Sequence, residues 1–249
     1  MPRWSKFPAY VSAADKRARV AAAAARLQTK KSSPDAIRIE GRQITTTFWG
    51  RAWCDNLQSY ADFAHRLERG RSYVRGGAVV DLKIAAGQIT ARVAGTRLYK
   101  VEITMAPLAR KRWHELARAC TGRIGSLVAL LRGEIPDEVM RAVTDRTGGL
   151  FPAPDELDLS CDCPDHAGLC KHIAASLYGV GARFDQSPEL LFLLRGVDAK
   201  DLIEQASARL GRAGKTSAAT LAASTSDLAA LFGIELTDVP LARPRKPRK

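Results

Sequence analysis

Apolar positions along the chain switch repeatedly between helical and alternating period, and each switch marks a different kind of element. In residues 46–64, TTFWGRAWCDNLQSYADFA, Trp49, Trp53, Leu57 and Tyr60 recur at spacings of four, four and three. That is one face of a helix, expected to pack on the sheet that follows, and core packing is the reading preferred over exposed stacking platforms for the two tryptophans. Residues 72–105, SYVRGGAVVDLKIAAGQITARVAGTRLYKVEITM, alternate instead, and Gly76-Gly77, Ala86-Gly87 and Gly95-Thr96 separate the β-branched runs. Three or four antiparallel strands joined as hairpins are predicted, with Ile89, Ala91 and Val93 on one side and Thr90 and Arg92 on the other.

Helical spacing returns after Pro107 and runs to about Leu131, with a break near Thr121-Gly122. Trp113, Leu116 and Ala117 form one stripe and Leu127, Leu130 and Leu131 another, while Lys111, Arg112 and Arg118 read as a solvated face. Pro136 opens a further helix that ends before Gly148-Gly149. A short alternating strand, Glu156 to Leu159, is followed by helices over Lys171–Val180, Pro188–Leu194 and Ala199–Leu210. Residues 211–225 read as a linker, and Asp227–Phe232 as one more short helix. Near the N-terminus, Ser12 and Asp15 imitate a capping box before an Ala-rich run, predicting a helix from about 13 to 28. Such a helix buries little and is expected to order on a partner.

Charge adds a function to this outline. Of the net +13, residues 1–31 carry +7 and residues 240–249 carry +5, so the middle of the chain is nearly neutral. Lys30 and Lys31 in the first arm and Arg243, Arg245, Lys246, Arg248 and Lys249 in the second are candidate phosphate contacts, or else a solvated pair of tails. A second candidate is the stretch His65–Arg75, read as a turn between helix and sheet. There Arg66, Arg69, Arg71 and Arg75 would meet phosphates and Tyr73 would stack on a base, unless the arginines merely pair with nearby acids. No run approaches the roughly 20 apolar residues needed to cross a bilayer, and the N-terminus has no secretory h-region. A cytoplasmic protein, with nucleoid association allowed by its charge, is the expectation.

The densest chemistry is CDCPDHAGLCKH, which puts Cys161, Cys163, Cys170 and His172 within twelve residues. Three thiolates and an imidazole are donors that Zn²⁺ prefers in closed tetrahedral sites. One structural zinc follows, with formal charge −1 at the site that Lys171 partly offsets. Asp162, Pro164, Asp165 and Gly168 supply turn chemistry, and Ile173, Leu177 and Tyr178 are expected to anchor the knuckle on the core. His166 is a competing ligand to His172, and a redox pair of Cys161 and Cys163 is a rarer alternative. Cys54 and Cys120 stand alone on predicted helices, so disulfides are not expected.

The spacing CxCx6CxH between a strand and a helix resembles the SWIM zinc finger. More of the chain is similar to the bacterial SWIM zinc-finger family, through FWGRAW at 48–53, RGRSYVRGG at 69–77, LFPAPDEL at 150–157 and LLFLLRG at 190–196. The resemblance implies a ββα zinc module that binds DNA or protein, and frequent association with SWI/SNF-type DNA-dependent ATPases or recombination machinery. The fold class is therefore α+β: an antiparallel β-meander packed with helices, then a small ββα SWIM zinc module and C-terminal helices. Four regions are expected: a basic arm and linker at 1–34, an α+β domain at 35–150, the zinc module with following helices at 151–211, and a linker, short helix and basic tail at 212–249.

No GxxxxGK[ST], HExxH or GxSxG motif occurs, and four protein ligands leave zinc no open position for water. An enzyme with a small-molecule substrate is disfavoured. The expected function is that of an accessory protein that binds nucleic acid, DNA in the first instance, and helps recruit or regulate a SWI/SNF-type ATPase. An adaptor whose zinc module docks a partner without touching DNA is the alternative.

Overall fold

A four-stranded antiparallel sheet of order β1-β2-β3-β4 forms the centre of the fold, and one helix that follows the cysteine cluster crosses its inner face. The computed structural model describes residues 11–28, 33–59, 64–120, 123–124, 126–145, 147–165 and 168–202. In chain order these form α1 (Ala13–Leu27), α2 (Phe48–Gln58), α3 (Ala64–Arg75), β1 (Val79–Ala85), β2 (Gln88–Ala94), β3 (Leu98–Met105), α4 (Arg110–Cys120), α5 (Leu127–Arg132), α6 (Asp137–Thr144), a 3₁₀ turn (Pro154–Glu156), β4 (Leu157–Cys161), α7 (Lys171–Gln186) and α8 (Glu189–Arg195). The α+β class holds, with the zinc segment after the meander and helices beyond it. The predicted helix at 199–210 is described only at its start, and the helix at 227–232 lies outside the described residues.

The meander follows from its alternation. Ile89, Ala91 and Val93 of β2 and Tyr99, Val101, Ile103 and Met105 of β3 all turn into the main core. Gly87, at φ +66°, lets the chain make the two-residue hairpin turn between β1 and β2. A bulge between Val79 and Asp81 turns Val80 to the opposite face, where it meets Ala94 and Ala23. β4 pairs with β3 from Val101↔Cys161 to Met105↔Leu157, so the strand and helix of the zinc segment take β3 as their second strand. Leu150 and Phe151, at the boundary expected between two regions, are both buried in the common core.

α7 is buried on nearly every side, with all residues from His172 to Gly181 in the interior. Such a helix has to be enclosed by other elements, and α3, α2 and β1 enclose it. Small residues set the approach distances. A Cβ at Gly70 of α3 would lie 2.5 Å from the Ala174 Cβ, and one at Gly181 would lie 2.9 Å from the Cys54 sulfur. Trp53 caps this packing: its indole N–H donates to the Leu177 carbonyl at 2.8 Å, and its ring meets Phe184 edge-on at 5.3 Å. Trp49 donates to the Leu130 carbonyl at 2.9 Å and meets Phe192.

Four expectations change here. The Trp49–Trp53–Leu57 face is core as predicted, but it packs chiefly on α7 and not on the sheet, because α7 already covers that sheet face. Residues 65–75 are helix α3 and not a turn. Leu67, Gly70 and Val74 form its buried stripe, which the surrounding arginines and the glycine hide from a hydropathy pattern. α1 starts where predicted, with the Ser12 hydroxyl accepting the Asp15 N–H at 3.0 Å, yet it docks on the chain's own sheet through Val20, Ala23 and Ala24. Arg112 is not part of a solvated face either, since it ion-pairs with Glu156 at 3.5 Å and donates to the Phe151 carbonyl.

Candidate metal centre

The ligand atoms of Cys161, Cys163, Cys170 and His172 lie within 4.8 Å of one another. Each arrives from a different local geometry. Cys161 is the last residue of β4 and Cys163 sits in the turn beyond it. Cys170 is the N-cap of α7 and His172 lies in the first turn of that helix. Asp162, between the first two cysteines, fastens the turn to β3: its carboxylate accepts the Lys100 backbone N–H at 2.8 Å and the Arg97 guanidinium at 3.1 Å. Asp165 is held by Arg66 of α3. Both acids of the loop are thus neutralised by cations reaching in from neighbouring elements.

The separations suit zinc. Tetrahedral bonds of roughly 2.3 Å to sulfur and 2.0 Å to nitrogen put neighbouring ligand atoms about 3.6–3.8 Å apart. The His172 Nδ1 stands 3.9 Å from both the Cys161 and the Cys170 sulfurs, so a small contraction closes the set. Thiolate ligands at this buried place need the charge of a cation beside them. Burial raises the Cys161 and Cys170 thiols well above their ordinary range, with neighbouring cluster thiols adding to the effect. Burial also lowers His172 to about 4, with Lys171 assisting, so the imidazole is neutral and its lone pair is available. A divalent ion at the centre supplies the charge that lets buried thiolates form, and the N–H groups of His172 and Ile173 at the start of α7 favour the thiolate at Cys170.

Aromatic rings orient the histidine. Tyr99 stacks on it at 4.2 Å and 25°, and Tyr73 meets it edge-on at 5.5 Å and 71°. Arg97 lies over the outer face of Tyr99 at 4.7 Å, so one side chain braces both the Asp162 turn and the ring that holds His172. The second nitrogen, Nε2, is buried and has no hydrogen-bond partner among the described residues. It lies beneath Gly95, where a Cβ would come within 3.2 Å. Anchoring residues Ile173, Leu177 and Tyr178 are buried as expected.

The model of the SWIM zinc finger family matches residues 145–179. The chain carries a SWIM zinc finger. Its CxCx6CxH set is complete, and the Cys₃His arrangement supports one structural zinc. The chain is 34% identical over 163 residues to an uncharacterized protein of Mycobacterium tuberculosis, an alignment covering 64% of this chain. The chain spans 58% of that relative's length. No solved structure matches it.

The arginines of the His65–Arg75 stretch divide by their place on α3. Arg66 and Arg71 turn inward: Arg66 pairs with Asp165, and Arg71 donates to the Tyr178 hydroxyl at 2.9 Å. Arg69 and Arg75 are exposed, and Tyr73 is half-buried against His172. Lys30, Lys31, Arg243, Arg245, Lys246, Arg248 and Lys249 lie outside the described residues, as does His166. Tyr99, Arg97 and Gly95 belong to the centre, yet nothing in the sequence signalled that role, because they lie more than 60 positions from the cysteines and reach them only once β3 pairs with β4.

Proposed function

We propose that this SWIM protein is a binding module without catalytic function that holds nucleic acid, DNA in the first instance, on a basic face beside its zinc centre. One observation carries the reading. Lys16 and Arg19 of α1 and Arg69 of α3 border a single cavity, and none of the three has an ion-pair partner among the described residues. Arg17 and Arg75 are exposed on the same two helices. Cations that could have paired with acids are instead left to the solvent on adjoining elements, a pattern that attracts a polyanion. The zinc loop is a poorer grip, because Asp162 and Asp165 already consume Arg97 and Arg66. The metal's part is to fix β4 and α7 so that α3 presents its outer face. Recruitment of a SWI/SNF-type ATPase is the finer part of the proposal and is supported by the SWIM likeness alone.

The test is the salt dependence of DNA binding by the zinc-loaded chain, measured by fluorescence anisotropy. Wild type should bind with a steep negative slope, and Lys16→Glu with Arg19→Glu should flatten it by about two phosphate contacts. Absence of binding at low salt overturns the proposal. The adaptor reading then takes its place, supported by Val128 and Leu193, which are 58% and 43% exposed.

A further inference from the structure

The cavity between α1, α3 and the β2–β3 turn has more structure than a charged surface requires. Its volume is about 380 Å³, within the range of small-ligand sites. Lys16, Arg19 and Arg69 supply charge, and among the described residues no carboxylate lines it. Its wall is otherwise apolar, from Val20, Ala78 and Ala94, with Gly95 bringing bare backbone to the surface. Tyr73 contributes an aromatic ring that is braced on His172 on one side and lines the cavity as well. Ser72 and Thr96 place hydroxyls nearby.

A smooth duplex has little use for such a recess, because the faces of its bases are stacked inside and only base edges, sugars and phosphates reach a surface. An unpaired nucleotide uses all of it: the phosphate meets the three cations while the base enters the apolar interior and lies against Tyr73. Resting on the nucleic-acid reading above, we propose that this cavity binds one unpaired nucleotide of a single strand, so that the protein prefers single-stranded to double-stranded nucleic acid. The zinc centre and the cavity share a wall. Tyr73 touches His172, and Gly95 separates the cavity from the His172 Nε2. Metal occupancy thereby fixes the ring on which the base lies.

The test compares a labelled oligothymidylate, the same length of duplex, thymidine monophosphate and inorganic phosphate, each titrated with the zinc-loaded full chain. Single strand should bind roughly 5- to 150-fold tighter than duplex, the range of one stacked base. Tyr73→Leu should remove that margin while Tyr73→Phe keeps it, and the slope against salt should stay the same in both, since neither changes a charge. Ser72→Leu, at an exposed position that leaves the zinc centre untouched, should block the cavity and remove the margin even if Tyr73→Leu fails to fold. Zinc content and circular dichroism report whether each variant is intact.

Equal binding of single strand and duplex, with Ser72→Leu unaffected, overturns the cavity proposal and leaves the basic-face reading standing. Loss of all binding at low salt overturns both. Inorganic phosphate competing as well as the mononucleotide shows an anion site without base recognition, which also overturns the proposal. A mononucleotide that competes while phosphate does not supports it.

Discussion

Gly70→Ala decides whether close packing of α3 on α7 governs this fold. On helix propensity alone the change should stabilise the protein by about 1 kcal/mol, since Gly70 lies inside a helix. Packing predicts the opposite sign. The new Cβ would sit 2.5 Å from the Ala174 Cβ, 2.8 Å from the Ala174 carbonyl carbon and 2.9 Å from the Ala175 nitrogen. Two of those neighbours are backbone, so no side chain can swing aside, and the helices must part by about 1 Å to reach ordinary contact. Overpacking at the upper end of its usual range, about 3 kcal/mol, less the propensity gain leaves a net loss of about 2 kcal/mol. For a chain of this size the melting temperature should fall by about 4–8 °C. Urea unfolding of the zinc-loaded chain, followed by circular dichroism, measures the first quantity, and competition with a chromophoric chelator measures zinc affinity. Zinc should weaken too, because His172 rides on the displaced end of α7. A raised unfolding midpoint with unchanged zinc affinity would refute the packing argument.

Cys163→Ser should abolish stoichiometric zinc and loosen the β4–α7 junction, and chelation of wild type should lower its melting temperature similarly; one zinc per chain with an unaltered melt would sink the structural role. Arg71→Ala should cost stability, through lost contact with Tyr178, and leave the salt slope of DNA binding alone, whereas Arg75→Ala should do the reverse; anisotropy and thermal melts on the two variants separate these outcomes. Glu156 is partly buried, which by itself would raise its pKa, but the Ala153 N–H and the Arg195 guanidinium hold it below the ordinary carboxylate value. Its contribution is therefore complete above that ordinary value and is lost as pH falls through the depressed folded value. Glu156→Gln should cost on the order of 3 kcal/mol at neutral pH, because Arg195 is fully buried, and should flatten the acid limb of a stability-versus-pH curve; an unchanged acid limb would show that the pair does not contribute.

Elements whose signal is local could be read from the chain directly. The β2 alternation, the Ser12 cap, the Trp49–Trp53–Leu57 stripe and the four metal ligands each depend on neighbours within a dozen residues, where backbone period and ligand spacing act. The zinc centre was legible for that reason, since CxCx6CxH brings its own donors together. What α3 does was not. Its buried face is Leu67, Gly70 and Val74, and a glycine is an apolar contact only when another helix lies against it. The identical residue type, arginine, ends as an ion-pair partner at Arg66, a tyrosine brace at Arg71 and, among the described residues, an unpaired cation at Arg69, according to which neighbours α7 and the zinc loop provide.

The sequence by itself determined the metal chemistry and, α3 apart, most of the strand–helix alphabet, because both are written in short-range spacing. Tertiary structure alone decided that β4 pairs with β3, that Tyr99 and Tyr73 clamp the zinc histidine, and that Lys16 and Arg69, 53 positions apart, border one cavity. Those outcomes depend on α7 being enclosed on all sides, and burial of a whole helix is a property of its partners as much as of its own residues.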